Sequence, residues 1–204
     1  MFVWTEQFET KIEVIDFQHK NLFDLINKVS ENLTLGTSNF DLLNGSIKIL
    51  IHYTKSHFHD EELLMAEGRA DPRHIASHRM EHKSFIYDVE RMSNIMSSEE
   101  NINDKVERLV RFTTSWLMFH ILGTDMFLAA QLANIKSGMD ARRAFEMGRE
   151  RRFDFPTVKT MLDASISMWL DAKERCAQLD IKCKELEEKV ESLEIELQFA
   201  KLRR

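Results

Sequence analysis

His57 and Glu61 stand four residues apart, and so do His78 and His82. Residues four apart on an α-helix share a face, one turn above the other. His19 lies earlier in the chain, and His120-Ile121-Leu122-Gly123-Thr124-Asp125 later. Carried on four helices of one bundle, these side chains can converge and hold two metal ions. A helical core excludes histidine, glutamate and aspartate unless something satisfies them. For one histidine on an apolar face, a hydrogen-bonded core residue is the simpler account. For seven potential ligands (His19, His57, Glu61, His78, His82, His120 and Asp125) it is not. Imidazole together with carboxylate suits iron, zinc or manganese, and two bridging carboxylates suit a pair of ions.

The elements that must position these groups are helical. Only two prolines and six glycines occur in 204 residues, and alternating β-branched runs are scarce. After a lead-in holding Trp4, Phe8, Ile12 and Val14, Asp16 offers an N-cap. Leu22, Phe23, Leu25, Ile26, Val29 and Leu33 then supply helical periodicity up to Gly36. Ser38 with Asp41 predicts a second start, and Gly68 the end of that helix near Glu67. Asp71-Pro72 restarts the chain as N-cap and first helical residue, for a helix to about Met96. Polar residues 97–103 make a loop, and a fourth helix spans roughly 104–136 with His120 and Asp125 midway. The predicted fold is all-α: an antiparallel up-down-up-down four-helix bundle over 1–135. A helical linker follows over 136–160, restarting at Asp140 and Pro156, and then a C-terminal stalk over 161–204.

The stalk has its own periodicity. Cys176, Leu179, Cys183, Leu186, Val190, Leu193, Leu197 and Ala200 alternate at spacings of three and four, the a and d positions of a parallel coiled coil. In an in-register homodimer each g residue faces the partner's next e residue. Those pairs are Arg175–Asp180, Lys182–Glu187, Lys189–Glu194 and Glu196–Lys201, all opposite in sign. Each exposed pair contributes only roughly 0.2–0.5 kcal/mol, so they select orientation more than they stabilise. Leu162, Ser165, Trp169 and Ala172 continue the register upstream. The two cysteines are too few for a disulfide framework or a zinc site and read as small core fillers.

The metal-ligating segments resemble bacterial hemerythrins. The resemblance rests on Ile15-Asp16-Phe17-Gln18-His19, His57-Phe58-His59-Asp60-Glu61-Glu62, His78-Arg79-Met80-Glu81-His82 and His120-Ile121-Leu122-Gly123-Thr124-Asp125. It covers about residues 1–133, with Trp4 matching the family's usual opening. It implies a non-heme diiron centre with an oxo or hydroxo bridge. His78, His82 and His120 would hold one iron and His19 and His57 the other, which keeps an open position for dioxygen or an azide-like anion. Glu61 and Asp125 would bridge the two. Five imidazoles with only two carboxylates favour reversible binding over oxygen activation.

Other residues receive plainer readings. Glu62 points about 100° away from Glu61 around the helix, towards solvent or the outside of the site. His59 should face elsewhere, His74 sits near a helix end at the surface, and His52 is assigned to the surroundings of the ligands. Phe23, Phe58, Trp116, Leu117 and Ile121 are candidate walls of a dry ligand pocket.

Net charge is −6, which gives no electrostatic footprint for nucleic acid. The cluster Arg142, Arg143, Arg149, Arg151 and Arg152 is interleaved with Glu146 and Glu150 and reads as a solvated face. Neither a signal peptide nor an uninterrupted apolar span is visible, so a cytoplasmic protein with no membrane partner is expected. The stalk favours a sensor that passes oxygen or redox state from the diiron centre to an output domain, such as a diguanylate cyclase, beyond Leu202-Arg203-Arg204. On that reading the chain is a fragment or recruits a partner, and is not itself an enzyme. The alternatives are oxygen storage, transport or iron handling, and a diiron oxidase or peroxidase.

Overall fold

The computed structural model describes residues 3–34, 40–94, 102–149 and 155–202. The expected signals at Gly36, Ser38 and Met96, and most of the predicted loop 97–103, lie outside these residues. Among the described residues the chain is all-helical, with no strand. After a short 3₁₀ turn, Glu6–Phe8, the helices are α1 Glu13–Thr34, α2 Phe40–Glu67, α3 Pro72–Asn94, α4 Ile102–His120, α5 Met126–Lys136, α6 Ala141–Arg149 and α7 Phe155–Leu202. A π-helical turn, Ile121–Asp125, joins α4 to α5 without a break. Two compact units result, Met1–Ser167 and Met168–Arg204.

In the first unit α1 packs against α2 and α4, α2 against α3, and α3 against α4. The buried positions of α2 show why. Ile47, Leu50, Thr54, His57, Phe58, Glu61 and Met65 recur at three- and four-residue steps, the spacing of one helix face. On α3 the buried set is His74, His78, His82, Phe85, Val89 and Met92. Apolar residues at the same period therefore bury the ligand faces along with themselves.

The helix ends differ from expectation in two places. Asp16 lies in the first turn of α1 and is not its N-cap. Its carboxylate instead accepts from Thr10 N (2.7 Å), Thr10 Oγ1 (2.8 Å) and Lys11 N (3.1 Å), holding Lys11 at φ 66°. His19 thus falls in the second turn of α1. At the end of α2 the left-handed residue is Arg69 (φ 52°), one place after Gly68. Ala70 N–H bonds Met65 O and Arg69 N–H bonds Ala66 O, a Schellman closure whose apolar contact is Ala70 on Met65. Asp71 caps α3 as predicted, accepting from Arg73 N at 2.9 Å.

Described residues between Lys136 and Ser167 belong to the first unit and pack into it. Ala144 and Phe145 of α6 and Ala164 of α7 are buried. The Phe127 ring packs against both His74 (centroids 4.3 Å) and Phe145 (5.3 Å), which stand 6.0 Å from each other. A Cβ placed on Gly148 would stand 2.1 Å from that ring. His74 and Phe145 both restrict the ring's retreat, so Gly148→Ala is expected to destabilise the protein by about 1–3 kcal/mol, read as a lower thermal midpoint.

The run Asn103–Lys136 is long and apolar enough to cross a membrane by length and composition, with an 18-residue window of mean hydropathy 1.2, although polar residues interrupt it. Half of that window is buried, and the run carries His120 and Asp125 into the core.

The second unit is the helical stretch from Met168 onward. Cys176, Leu179, Cys183, Leu186, Val190 and Leu193 are all exposed along it. Leu197 and Ala200 are helical, and their side chains, like those of Arg175, Glu196 and Lys201, lie outside the described residues.

Candidate metal centre

All seven expected ligands are buried, none more than 2% exposed. Every imidazole for which a contact within the cluster is resolved presents Nε2 inward. His120 Nε2 lies 3.1 Å from His78 Nε2 and 3.2 Å from His82 Nε2. Two nitrogens bound at right angles to one ion, each about 2.1 Å from it, stand about 3 Å apart, so this spacing suits a shared metal. Glu61 Oε2 is 3.4 Å from His78 Nε2, 3.3 Å from His82 Nε2 and 3.8 Å from His57 Nε2. Asp125 sends Oδ1 to His120 (3.1 Å) and His78 (3.3 Å) and Oδ2 to His19 (3.2 Å).

Two metal-competent groups follow: Glu61, His78, His82 and His120, and His19, His57 and Glu61. Within each, the ligand atoms lie within 4.8 Å of one another. Glu61 belongs to both, and Asp125 reaches a histidine of each.

The π turn makes Asp125 available. Five residues along an α-helix turn about 500°, which would leave Asp125 roughly 140° from His120. Here Met126 N–H bonds Ile121 O, five residues back, and the wider turn restores both side chains to one face.

The unsatisfied atoms point the same way. Both oxygens of Glu61 and of Asp125, His57 Nε2 and both nitrogens of His19 are buried without a hydrogen-bond partner. Buried polar atoms are ordinarily paired, and a cation is what this donor set fits.

Residues 10–132 match the family model described as the hemerythrin HHE cation binding domain. The chain belongs to the hemerythrin family. It is similar to the bacteriohemerythrin of Clostridium acetobutylicum, 32% identical over 127 residues that cover 61% of this chain and 96% of that protein. The bacteriohemerythrin of Methylococcus capsulatus is 31% identical over 128 residues, 61% of this chain and 92% of that one. Myohemerythrin of Theromyzon tessulatum is 29% identical over 126 residues, 61% of this chain and 88% of that one. No solved structure matches. The protein is thus a hemerythrin-like metal-binding domain related to bacteriohemerythrins, and the family implies non-heme iron.

Around the hemerythrin cluster, outer hydrogen bonds fix the imidazoles. His57 Nδ1 meets Gln18 Oε1 at 3.0 Å, and Gln18 Nε2 donates to Asp60 Oδ2 at 2.7 Å. His120 Nδ1 meets Glu81 Oε2 at 3.0 Å, an oxygen that also accepts from Thr124 Oγ1 at 2.8 Å and so ties the π turn to α3. His82 Nδ1 faces Glu62 Oε1 at 3.4 Å, and Arg79 holds the other Glu62 oxygen. Such partners set tautomer and ring orientation. Gln18, Asp60, Glu81 and Thr124 went unassigned in the sequence, although each lies inside a ligand-bearing segment. Their side-chain directions depend on how neighbouring helices meet.

Aromatic rings complete the frame. Phe58 stacks on His82 (3.7 Å, 4°) and Trp116 on His120 (4.2 Å, 18°). Phe23 meets Trp4 edge-on at 5.5 Å, and Trp4 stands 6.2 Å from His19. Leu117 and Ile121 are buried. His59 faces solvent as expected, and so does His52, away from the ligands. His74 is not at the surface: it is 1% exposed, with Nδ1 2.8 Å from Gln131 Oε1.

Burial pushes His57 down to about 4, so it stays neutral. Burial also lowers His78 and His120, but the Asp125 and Glu61 carboxylates outweigh it and raise them to about 9 and about 10. Burial and mutual repulsion raise Glu61 and Asp125, while the surrounding imidazoles overcome this and hold both below the usual carboxylate range. In the metal-free protein, His78 and His120 are thus bound as cations. Groups with raised folded pKa stabilise fully below their unfolded pKa and lose that contribution as pH rises through the folded value. Denaturant titrations of the metal-free chain should show stability falling between about pH 6.5 and 10. Below pH 6.5 stability should fall again, as neutral His57 and then the carboxylates are forced to protonate. In the loaded chain the metal replaces the two protons, and the alkaline loss should disappear.

Proposed function

We propose that the protein is a diiron oxygen or redox sensor whose metal state is passed to a dimeric stalk. The reading assigns His78, His82 and His120 to one iron and His19 and His57 to the other, with Glu61 and Asp125 shared. Bound iron supplies reversible dioxygen chemistry at the ion with fewer protein ligands. The chain's own residues exclude water, keep the imidazoles neutral towards the metal and hold their planes through Gln18, Glu81, Phe58 and Trp116. The observation that carries the two-ion count is Glu61, whose carboxylate belongs to both ligand groups.

The signalling part rests on the stalk. Matches to bacteriohemerythrins cover 61% of this chain but up to 96% of theirs, so the C-terminal residues are an addition to the bundle. The exposed a and d residues Leu179, Leu186, Val190 and Leu193, with opposite charges at the g and e positions, support a parallel in-register homodimer. On this reading the four helices run up and down, the fourth feeds residues 136–160, and these lead into the stalk and a cytoplasmic output such as a diguanylate cyclase. The rival reading, oxygen storage or iron handling with the tail acting only as an oligomeriser, is favoured by the same coverage figures.

A spin label at Glu188→Cys, in a chain whose native cysteines are serines, measures the separation across the stalk. The sensor reading expects that distance to differ among the metal-free, ferrous and ferric proteins, and on admitting dioxygen. Identical distances throughout would leave storage as the better account.

A further inference from the structure

His78 and His19 are the two ligands whose outer nitrogen has no anchor, whereas the other three ligand imidazoles have theirs in Gln18, Glu62 and Glu81. The Nε2 of His78 points into the cluster, so with a metal on Nε2 its one proton sits on Nδ1, which is buried without a partner. One turn earlier on the same face of α3 stands His74, also buried, its ring 5.6 Å from that of His78 and tilted by only 26°.

The tautomer of His74 follows from its other neighbour. Gln131 is fully buried, and its Nε2 donates to Ala141 O at 3.3 Å. That leaves Gln131 Oε1 to face His74 Nδ1, at 2.8 Å. An amide oxygen only accepts, so His74 carries its proton on Nδ1 and a lone pair on Nε2. Nε2 of His74 is buried and unpartnered. A donor without an acceptor therefore stands beside an acceptor without a donor. Phe127, stacked 4.3 Å from His74, holds the acceptor ring in plane.

Resting on the diiron reading, we propose that His74 is the positioning residue for the metal ligand His78. In the iron-loaded protein it accepts a hydrogen bond from His78 Nδ1, directly or through one water. The chain His78–His74–Gln131–Ala141 O then anchors the ligand to the start of α6. His74 binds no metal itself. It fixes the orientation of His78 and increases the basicity of its Nε2.

The test loads metal-free protein with ferrous iron without oxygen and follows iron loss to a chelator, together with melting of the metal-free chain. His74→Phe keeps an aromatic ring against Phe127 and removes the acceptor. It should release iron about 10- to 100-fold faster with the metal-free melting point little changed. Gln131→Met, which frees the tautomer, should shift release in the same direction and serves if His74→Phe fails to fold. In His74→Gln the amide oxygen takes the place of Nε2, and the rate should return to within about threefold of the parent. Release at the parent rate in both His74→Phe and Gln131→Met, or His74→Gln as fast as His74→Phe, overturns the proposal. A parent chain that takes up no iron overturns the diiron reading instead.

Discussion

Glu61→Ala should reduce bound iron from two ions per chain to about one or fewer, the largest effect expected of any single substitution. The reason is positional. Glu61 is common to both ligand groups, with its Oε2 3.3–3.8 Å from the Nε2 atoms of His57, His78 and His82. On the proposed two-ion reading, losing it removes a ligand from each ion at once. The metal-free protein should also lose about 3 kcal/mol, because a buried charge partner of protonated His78 has gone. Glu62→Ala is the internal control. Its carboxylate touches the cluster only from outside, at His82 Nδ1, so the iron count should hold. Metal analysis after gel filtration decides, and two tightly held ions in Glu61→Ala would sink the ligand assignment.

Ending the chain after Ser167 should leave a monomer that binds iron as the full chain does, whereas ending it after Ile135 should cost about 3–5 kcal/mol. The first cut falls at the boundary between the two compact units. The second strips Ala144 and Phe145 from the first unit, uncovers Phe127, and removes Ala141 O from Gln131. Arg73, whose guanidinium lies 4.4 Å above the Phe145 ring, loses that contact too. Sedimentation and melting curves separate the outcomes: a thermal midpoint roughly 10 °C lower for the shorter piece, and loss of dimerisation in both. A 1–167 fragment that still dimerises tightly would overturn the proposed stalk dimer.

The ligand set was legible because its spacing repeats the helix period. His57 with Glu61 and His78 with His82 each occupy one face, and the apolar residues around them bury that face in the core. The cap at Asp71 was equally plain, since capping is a contact between near neighbours. Where local signals competed, the sequence misled. Asp16 has the chemistry of an N-cap, but its carboxylate turns back to Thr10 and Lys11. Gly68 is the residue that tolerates a left-handed turn, yet Arg69 adopts it because the Schellman bonds fall one place later. His74 looked like a surface residue because Phe127 and Gln131 of α5 and Phe145 of α6, which surround it, are distant in sequence.

By itself the sequence determined the helical architecture, the seven ligand candidates and the hemerythrin resemblance, all of which depend on residue type and period along one chain. Only the tertiary structure decided the rest. It supplied the π turn that brings Asp125 round to His120, the Gln18, Glu62 and Glu81 contacts that orient three imidazoles, and the packing of α6 over His74 and Phe127. Each of these depends on the distance between groups on different helices or on a change of helical pitch, and neither is encoded in the spacing of residues along a single face.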